Sequence, residues 1–201
     1  MSQTAVFKNE QDLFIKNLRQ ETAASHQHLE DNTLSKALLS PTLALPDYQA
    51  YLTALYAVTI TCEDQVFPPI SHIVPDLQDR YKSGKIIEDL SFTGLSDVQI
   101  DALPVYQFEF SSPAEALGIM YVLEGSTLGG RILYKHVHET LGLSSERGAA
   151  YFWGYGSQTG MLWKSFISAF SEFAIENDAS GQIIESAIKT FLMIDNWLSR
   201  Q

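Results

Sequence analysis

Apolar residues recur at helical spacing along nearly the whole chain, and the strict alternation of a half-buried strand is not found. From Asp12 to Glu30, the positions Phe14, Ile15, Leu18, Thr22, Ala23 and Leu29 mark one face of a helix. Asp31-Asn32 and Pro41 mark its exit, with a short helical turn over Thr33–Leu39. A second long helix opens at Pro46-Asp47 and runs to about Phe67, where Pro68-Pro69 stops it. The next stretch is more polar. It predicts helices over Asp76–Leu90 and Ser96–Leu103, the latter capped by Ser96. Ser112 as cap, Pro113 at the first position and Glu115 in the first turn open a long helix ending near Gly142. Ser144-Ser145-Glu146 starts another turn, and Tyr151–Thr159, with Gly154 and Gly156, is a turn-rich connection. Two last helices span about Gln158–Glu176 and Ala179–Ser199. The fold class this predicts is all-α, a helical bundle around one core.

The long helix from Pro113 contains an anomaly. Tyr121–Leu133 reads YVLEGSTLGGRIL, with Gly125, Gly129 and Gly130 in the helix interior. Three such glycines cost about 3 kcal/mol relative to alanine. Something must therefore lie close against this backbone: another helix, or a flat ligand. Both readings stand at this point.

Composition narrows the class. At 201 residues the chain forms a single domain, with 1–10 a loose N-terminal segment. The net charge of −11 argues against a general nucleic-acid binder, which needs a basic face. No secretory signal opens the chain, and no apolar run is long enough to cross a membrane, so a cytoplasmic protein is expected. The single cysteine, Cys62, excludes an internal disulfide and a multi-cysteine metal site.

Candidates for chemistry are few. His136 and His138 are two apart, face different sides of their helix and cannot share a metal there. No HExxH motif, repeated Glu-x-x-His pair or phosphate-cradling glycine loop is present. His26 lies on the stripe with Leu18, Thr22 and Leu29, which predicts that it points inward, and Glu30 follows one turn later. A carboxylate there accepts a hydrogen bond from one imidazole nitrogen and leaves the other as a neutral ligand. Taken alone, the pair is more often a core or boundary histidine satisfied by its neighbour. Trp163, Phe166, Phe170, Phe173 and Trp197 recur at helical spacing and read as core.

Leu18-Arg19, Thr22, His26, Leu29 and Glu30 resemble the proximal-helix pattern of heme oxygenases, and Glu124–Gly130 resembles the same family's distal helix. The resemblance spans about Phe14 to Leu198 and is greatest to the bacterial biliverdin-producing branch, including members that supply bacterial phytochromes. It implies that His26 ligates heme iron, oriented by Glu30. It implies too that Gly125, Ser126, Gly129 and Gly130 form the catalytic face opposite, across a slot one porphyrin thick. Arg19 and Lys164 are then partners for the heme propionates, Thr22 lines the pocket, and Phe191 packs on the heme. Ser126 stands where many members carry an aspartate that holds waters, so no buried charge is placed at that position.

The activity so implied is cleavage of heme, both substrate and cofactor, to biliverdin, carbon monoxide and ferrous iron. It uses O2 and electrons from a reductase or ferredoxin, and a bacterial phytochrome is a candidate recipient of the product. Two alternatives remain: a non-catalytic heme-binding or storage module, and an unrelated all-α binder of a small aromatic molecule, since similar bundles serve thiamine-type chemistry, for which Cys62 is the only candidate catalytic cysteine.

Overall fold

The computed structural model describes residues 3–201. The first helix, α1 (Gln3–Glu30), begins well before Asp12, so the segment expected to be loose is helical from Gln3. Met1 and Ser2 lie outside the described residues. Along α1 the buried positions are Phe14, Leu18, Thr22 and Ser25, a spacing that keeps one stripe inward. Asn32 then caps α2 (Thr33–Leu38), accepting from the Leu34 N–H at 2.9 Å. Its amide donates to Asp195 Oδ1 at 2.8 Å, tying this corner to the last helix.

The second long helix, α3 (Leu45–Thr61), does not stop at its prolines. It widens into a π turn over Cys62–Val66 and resumes as α4 (Phe67–Ile70). Pro68 and Pro69 occupy the first turn of α4, where an N–H has no intrahelical partner to lose. The helix expected over Asp76–Leu90 is also divided, into a 3₁₀ turn at Leu77–Arg80 and α5 (Ser83–Phe92). Glu63 causes the restart. Its Oε1 accepts the N–H groups of Lys82 at 2.5 Å and Ser83 at 2.8 Å, placing an anion at the N-terminus of α5.

Ser96 caps α6 (Asp97–Asp101) in a reciprocal pairing with Gln99. Ser112 caps α7 (Pro113–Leu141), accepting from the Glu115 N–H at 3.2 Å, and Gly142 ends it at φ 69°. The connection from Ser144 holds two isolated β-bridges, and no strand forms among the described residues. It leads through α8 (Ala150–Trp153) to α9 (Thr159–Glu176) and α10 (Ser180–Leu198).

Helix α10 packs on both α1 and α7, and α9 also contacts both. Leu18, Leu117, Met120, Phe166, Phe170 and Ile183 fill the core between these four helices. A second cluster, including Tyr48, Leu52, Ile86, Leu90 and Phe152, fastens α3, α5 and α8 together. Helices α7 and α10 approach closely at Gly118, where an added Cβ would stand 2.6 Å from Ser186 Cβ. Close packing of α7 on α10 thus rests on a glycine outside the Gly125–Gly130 motif. No helix among the described residues is long and apolar enough to cross a membrane.

Candidate functional site

His26 is not an interior residue. Its side chain is 56% exposed, against the expectation that it points inward. The buried line along α1 passes from Thr22 through Ser25, not His26, and the next residue is rotated about 100° round the helix. His26 therefore stands at the flank of the stripe. There its ring leans on Phe191 of α10, centroids 5.2 Å apart at 58°. Phe191 itself is buried. Nε2 of His26 lies 3.5 Å from Glu30 Oε1, a loose pairing that leaves Nδ1 free in this rotamer. An accessible imidazole, backed by an aromatic ring and flanked by a carboxylate, can take a metal-bearing ligand from outside.

One turn earlier, Thr22 is buried and its hydroxyl donates to Leu18 O at 2.7 Å. The Tyr121 phenol of α7 lies near enough for Thr22 and the exposed Arg19 to influence its ionisation. Burial raises the Tyr121 pKa, and Arg19 and Thr22 oppose that rise. Tyr121 escaped the sequence reading, although it opens the glycine stretch. Its ring stacks on Phe170 at 5.7 Å and tilts against Trp163 at 5.9 Å.

The three glycines of α7 have three different surroundings. A Cβ at Gly125 would touch the Trp163 ring at 3.7 Å, so Trp163 forms a wall here as well as packing on the core. A Cβ at Gly130 would come within 3.0 Å of Phe152 O, which is a packing requirement. At Gly129 nothing lies within 4 Å, and the residue is exposed. Beside it, Leu128 and Ile132 are 44% and 70% exposed, bare apolar surface next to bare backbone. Packing thus accounts for Gly130 and leaves Gly129 available to a ligand. Ser126 is exposed, and its hydroxyl donates to Leu123 O at 2.7 Å. Lys164, next to Trp163, is exposed.

These residues suit an iron porphyrin carrying two carboxylates. The imidazole is a donor soft enough for iron, the Phe191 ring and Leu128 offer apolar contact, and Arg19 and Lys164 supply positive charge. Gly129 exposes main chain that a flat ligand can approach. The sequence matches the heme oxygenase family pattern over residues 12–200. The chain belongs to the heme oxygenase family.

The fold agrees with solved heme oxygenases. The Neisseria meningitidis enzyme, determined with NO and CO bound, is 22% identical with a TM-score of 0.74, covering 93% of this chain and 90% of that one. The heme oxygenase of Leptospira interrogans is 18% identical with a TM-score of 0.78, covering 94% and 99%. Heme oxygenase-1 of the cyanobacterium Synechocystis, in complex with heme, is 18% identical with a TM-score of 0.76, covering 93% and 91%. No curated protein sequence matches the chain significantly.

One further feature speaks against the alternative with a catalytic cysteine. Cys62 is buried, and burial pushes its thiol pKa up, the opposite of what an activated nucleophile needs. Among the described residues no group of three or more His, Cys, Asp and Glu is arranged to hold a metal ion.

The feature most completely hidden from sequence is a charged cluster behind α7. Arg80 is fully buried, pairs with Glu124, and donates to Asp76 Oδ1 and Leu162 O, both at 2.9 Å. Tyr155 donates to the other Glu124 oxygen at 2.8 Å. Lys82 is buried beside them. Burial works against its charge, yet Tyr155 and Glu124 together raise its pKa.

Proposed function

We propose that this chain cleaves heme to biliverdin, carbon monoxide and ferrous iron, consuming O2 and electrons from a reductase or ferredoxin. The observation that carries the reading is the accessible His26 imidazole, set between Glu30 and Phe191 in a chain of this family. Heme is the substrate, and it brings the iron at which oxygen is reduced.

The protein's part is binding, orientation and exclusion of water. Glu30 accepts a hydrogen bond from one ring N–H of His26, which fixes the neutral tautomer and leaves the other nitrogen to ligate. Phe191 limits rotation of the ring. Gly129 keeps a side chain off the opposite face, with Gly125 and Ser126 one turn before it, so main chain approaches closely and the porphyrin is steered by backbone. Thr22 lines the pocket beside Tyr121. Arg19, Tyr121 and Lys164 bind the carboxylates through charge-assisted hydrogen bonds and so set the rotation of the ring in its plane. Trp163 closes one side against water. A neutral imidazole donates less electron density than a thiolate would, which favours attack on the porphyrin over early O–O cleavage. The product suits delivery to a bacterial phytochrome.

Adding hemin to the purified protein tests this. A Soret band followed, on addition of ascorbate or a reductase in air, by biliverdin absorption supports the enzyme. A stable Soret band without conversion identifies a storage module instead, and no Soret band removes both.

A further inference from the structure

Asp76, Arg80 and Glu124 form a line of charges whose hydrogen bonds end on α9, beside two residues of the candidate site. Asp76 stands just before the 3₁₀ turn at Leu77–Arg80 with a left-handed backbone, φ 54°. A residue other than glycine is held there only where its surroundings demand it. Here both carboxylate oxygens are engaged. Oδ1 accepts from Arg80 Nε at 3.1 Å and Nη2 at 2.9 Å, and Oδ2 accepts the Ser165 hydroxyl at 3.0 Å.

Arg80 spreads its donors over two helices. Nη1 pairs with Glu124, and Nη2 also donates to Leu162 O at 2.9 Å. The guanidinium is planar and wholly buried, so its donors keep fixed directions. One rigid group thus sets α7, at the residue before Gly125, against α9, at the residue before Trp163. On α9 the anchored positions are Leu162 and Ser165, and the residues between them are Trp163 and Lys164. Trp163 is the side chain that a Cβ at Gly125 would touch at 3.7 Å. A well-packed apolar pair would hold the two helices as firmly, but apolar contact is non-directional and would not fix their spacing.

We propose that Asp76 and Arg80 are positioning residues for Trp163 and Lys164, and through them set which meso bridge of the porphyrin is opened. The proposal rests on the heme reading, under which Lys164 binds a carboxylate at one edge of the ring and Trp163 walls one side. A small rotation of α9 about its axis would displace both side chains together. The porphyrin would then turn in its plane, and a different meso carbon would face the open main chain at Gly129. The hydrogen bonds from Arg80 to Leu162 and from Ser165 to Asp76 oppose that rotation from the buried side of α9.

The test uses Ser165→Ala and Asp76→Gly in the full chain, with Asp76→Asn as the conservative variant. Glycine adopts the left-handed backbone freely and removes the carboxylate. Asparagine also tolerates that backbone, and it keeps an oxygen for Arg80 and an amide for Ser165. Ser165→Ala removes one half-buried hydroxyl and leaves the Arg80–Glu124 pair whole, so the fold survives it. Two readouts are taken on hemin complexes with equal Soret bands. The first is the set of heme-methyl proton NMR shifts in the cyanide-bound ferric form, which report how the ring is turned. The second is the ratio of biliverdin isomers released with ascorbate in air. Ser165→Ala and Asp76→Gly should shift the methyls and raise the minor-to-major isomer ratio on the order of tenfold, the scale of one lost hydrogen bond. Asp76→Asn should stay near wild type in both readouts. Wild-type shifts and isomers in either Ser165→Ala or Asp76→Gly overturn the positioning role and leave the heme reading in place. So does an Asp76→Asn disturbed as far as Asp76→Gly. A wild type that gives no Soret band with hemin overturns the heme reading, and the positioning role with it.

Discussion

Arg80 and Glu124 form an ion pair that solvent does not reach: the arginine side chain is 0% exposed and the glutamate 3%. Glu124 immediately precedes Gly125, so the pair fixes the start of the glycine stretch to the 3₁₀ turn at Leu77–Arg80 and, through Leu162 O, to α9. Two buried charges gain little net stability over a well-packed apolar pair, but a single one left behind is expensive. Arg80→Met should therefore destabilise the fold by about 3–5 kcal/mol, read from urea unfolding. Adding Glu124→Gln to that variant should recover part of the loss. A double variant as unstable as the sum of the two single ones would show that the charges do not act as a pair.

Gly118 and Gly129 should respond in opposite ways to the same substitution. Gly118→Ala pushes a methyl group into Ser186 and the Ile183 carbonyl, at 2.6 and 2.7 Å. It should cost about 1–3 kcal/mol through overpacking. Gly129→Ala meets nothing within 4 Å and replaces a poor helix former, so the ligand-free protein should gain about 1 kcal/mol. The same methyl stands where the porphyrin is proposed to lie, and hemin affinity should fall roughly tenfold. Thermal melts and hemin titrations check the two halves separately.

Asp89 predicts a pH dependence. Burial raises its pKa to about 6, although the N–H groups of Tyr151 and Ala150 bond to its carboxylate at 2.8 Å and pull the other way. A carboxyl whose folded pKa exceeds its unfolded value binds a proton in the folded state first. Its contribution therefore favours the fold at low pH and is lost as pH rises toward 6. Over this window Asp89→Asn should remove that downward slope, so that stability of the variant falls less with rising pH than that of the wild type. Parallel slopes in urea titrations from pH 4 to 6 would contradict the assignment.

Helix starts were legible because capping is local: Ser112, Pro113 and Glu115 lie within four residues, as do Ser96 and Gln99. The π turn at Cys62–Val66 and the break before Ser83 were not, because one long-range contact, Glu63 on the backbone of α5, couples them. The Arg80–Glu124 pair joins positions 44 apart, and neither residue carries a local sign of its partner. His26 shows the limit of periodicity. A shift of one residue turns a side chain by about 100°, enough to move it from the stripe to its flank. The glycine anomaly was legible as a requirement for close approach. Which glycine met a helix, which met a carbonyl and which stayed open depended on neighbours from α8, α9 and α10.

The central claim is that His26 takes the iron of a bound porphyrin. The most direct measurement is the absorption spectrum of the hemin complex of His26→Ala beside that of the wild type, with and without added imidazole. The account predicts that the variant loses or shifts the Soret band and that free imidazole restores it. A wild-type spectrum in the variant, unchanged by imidazole, would contradict it.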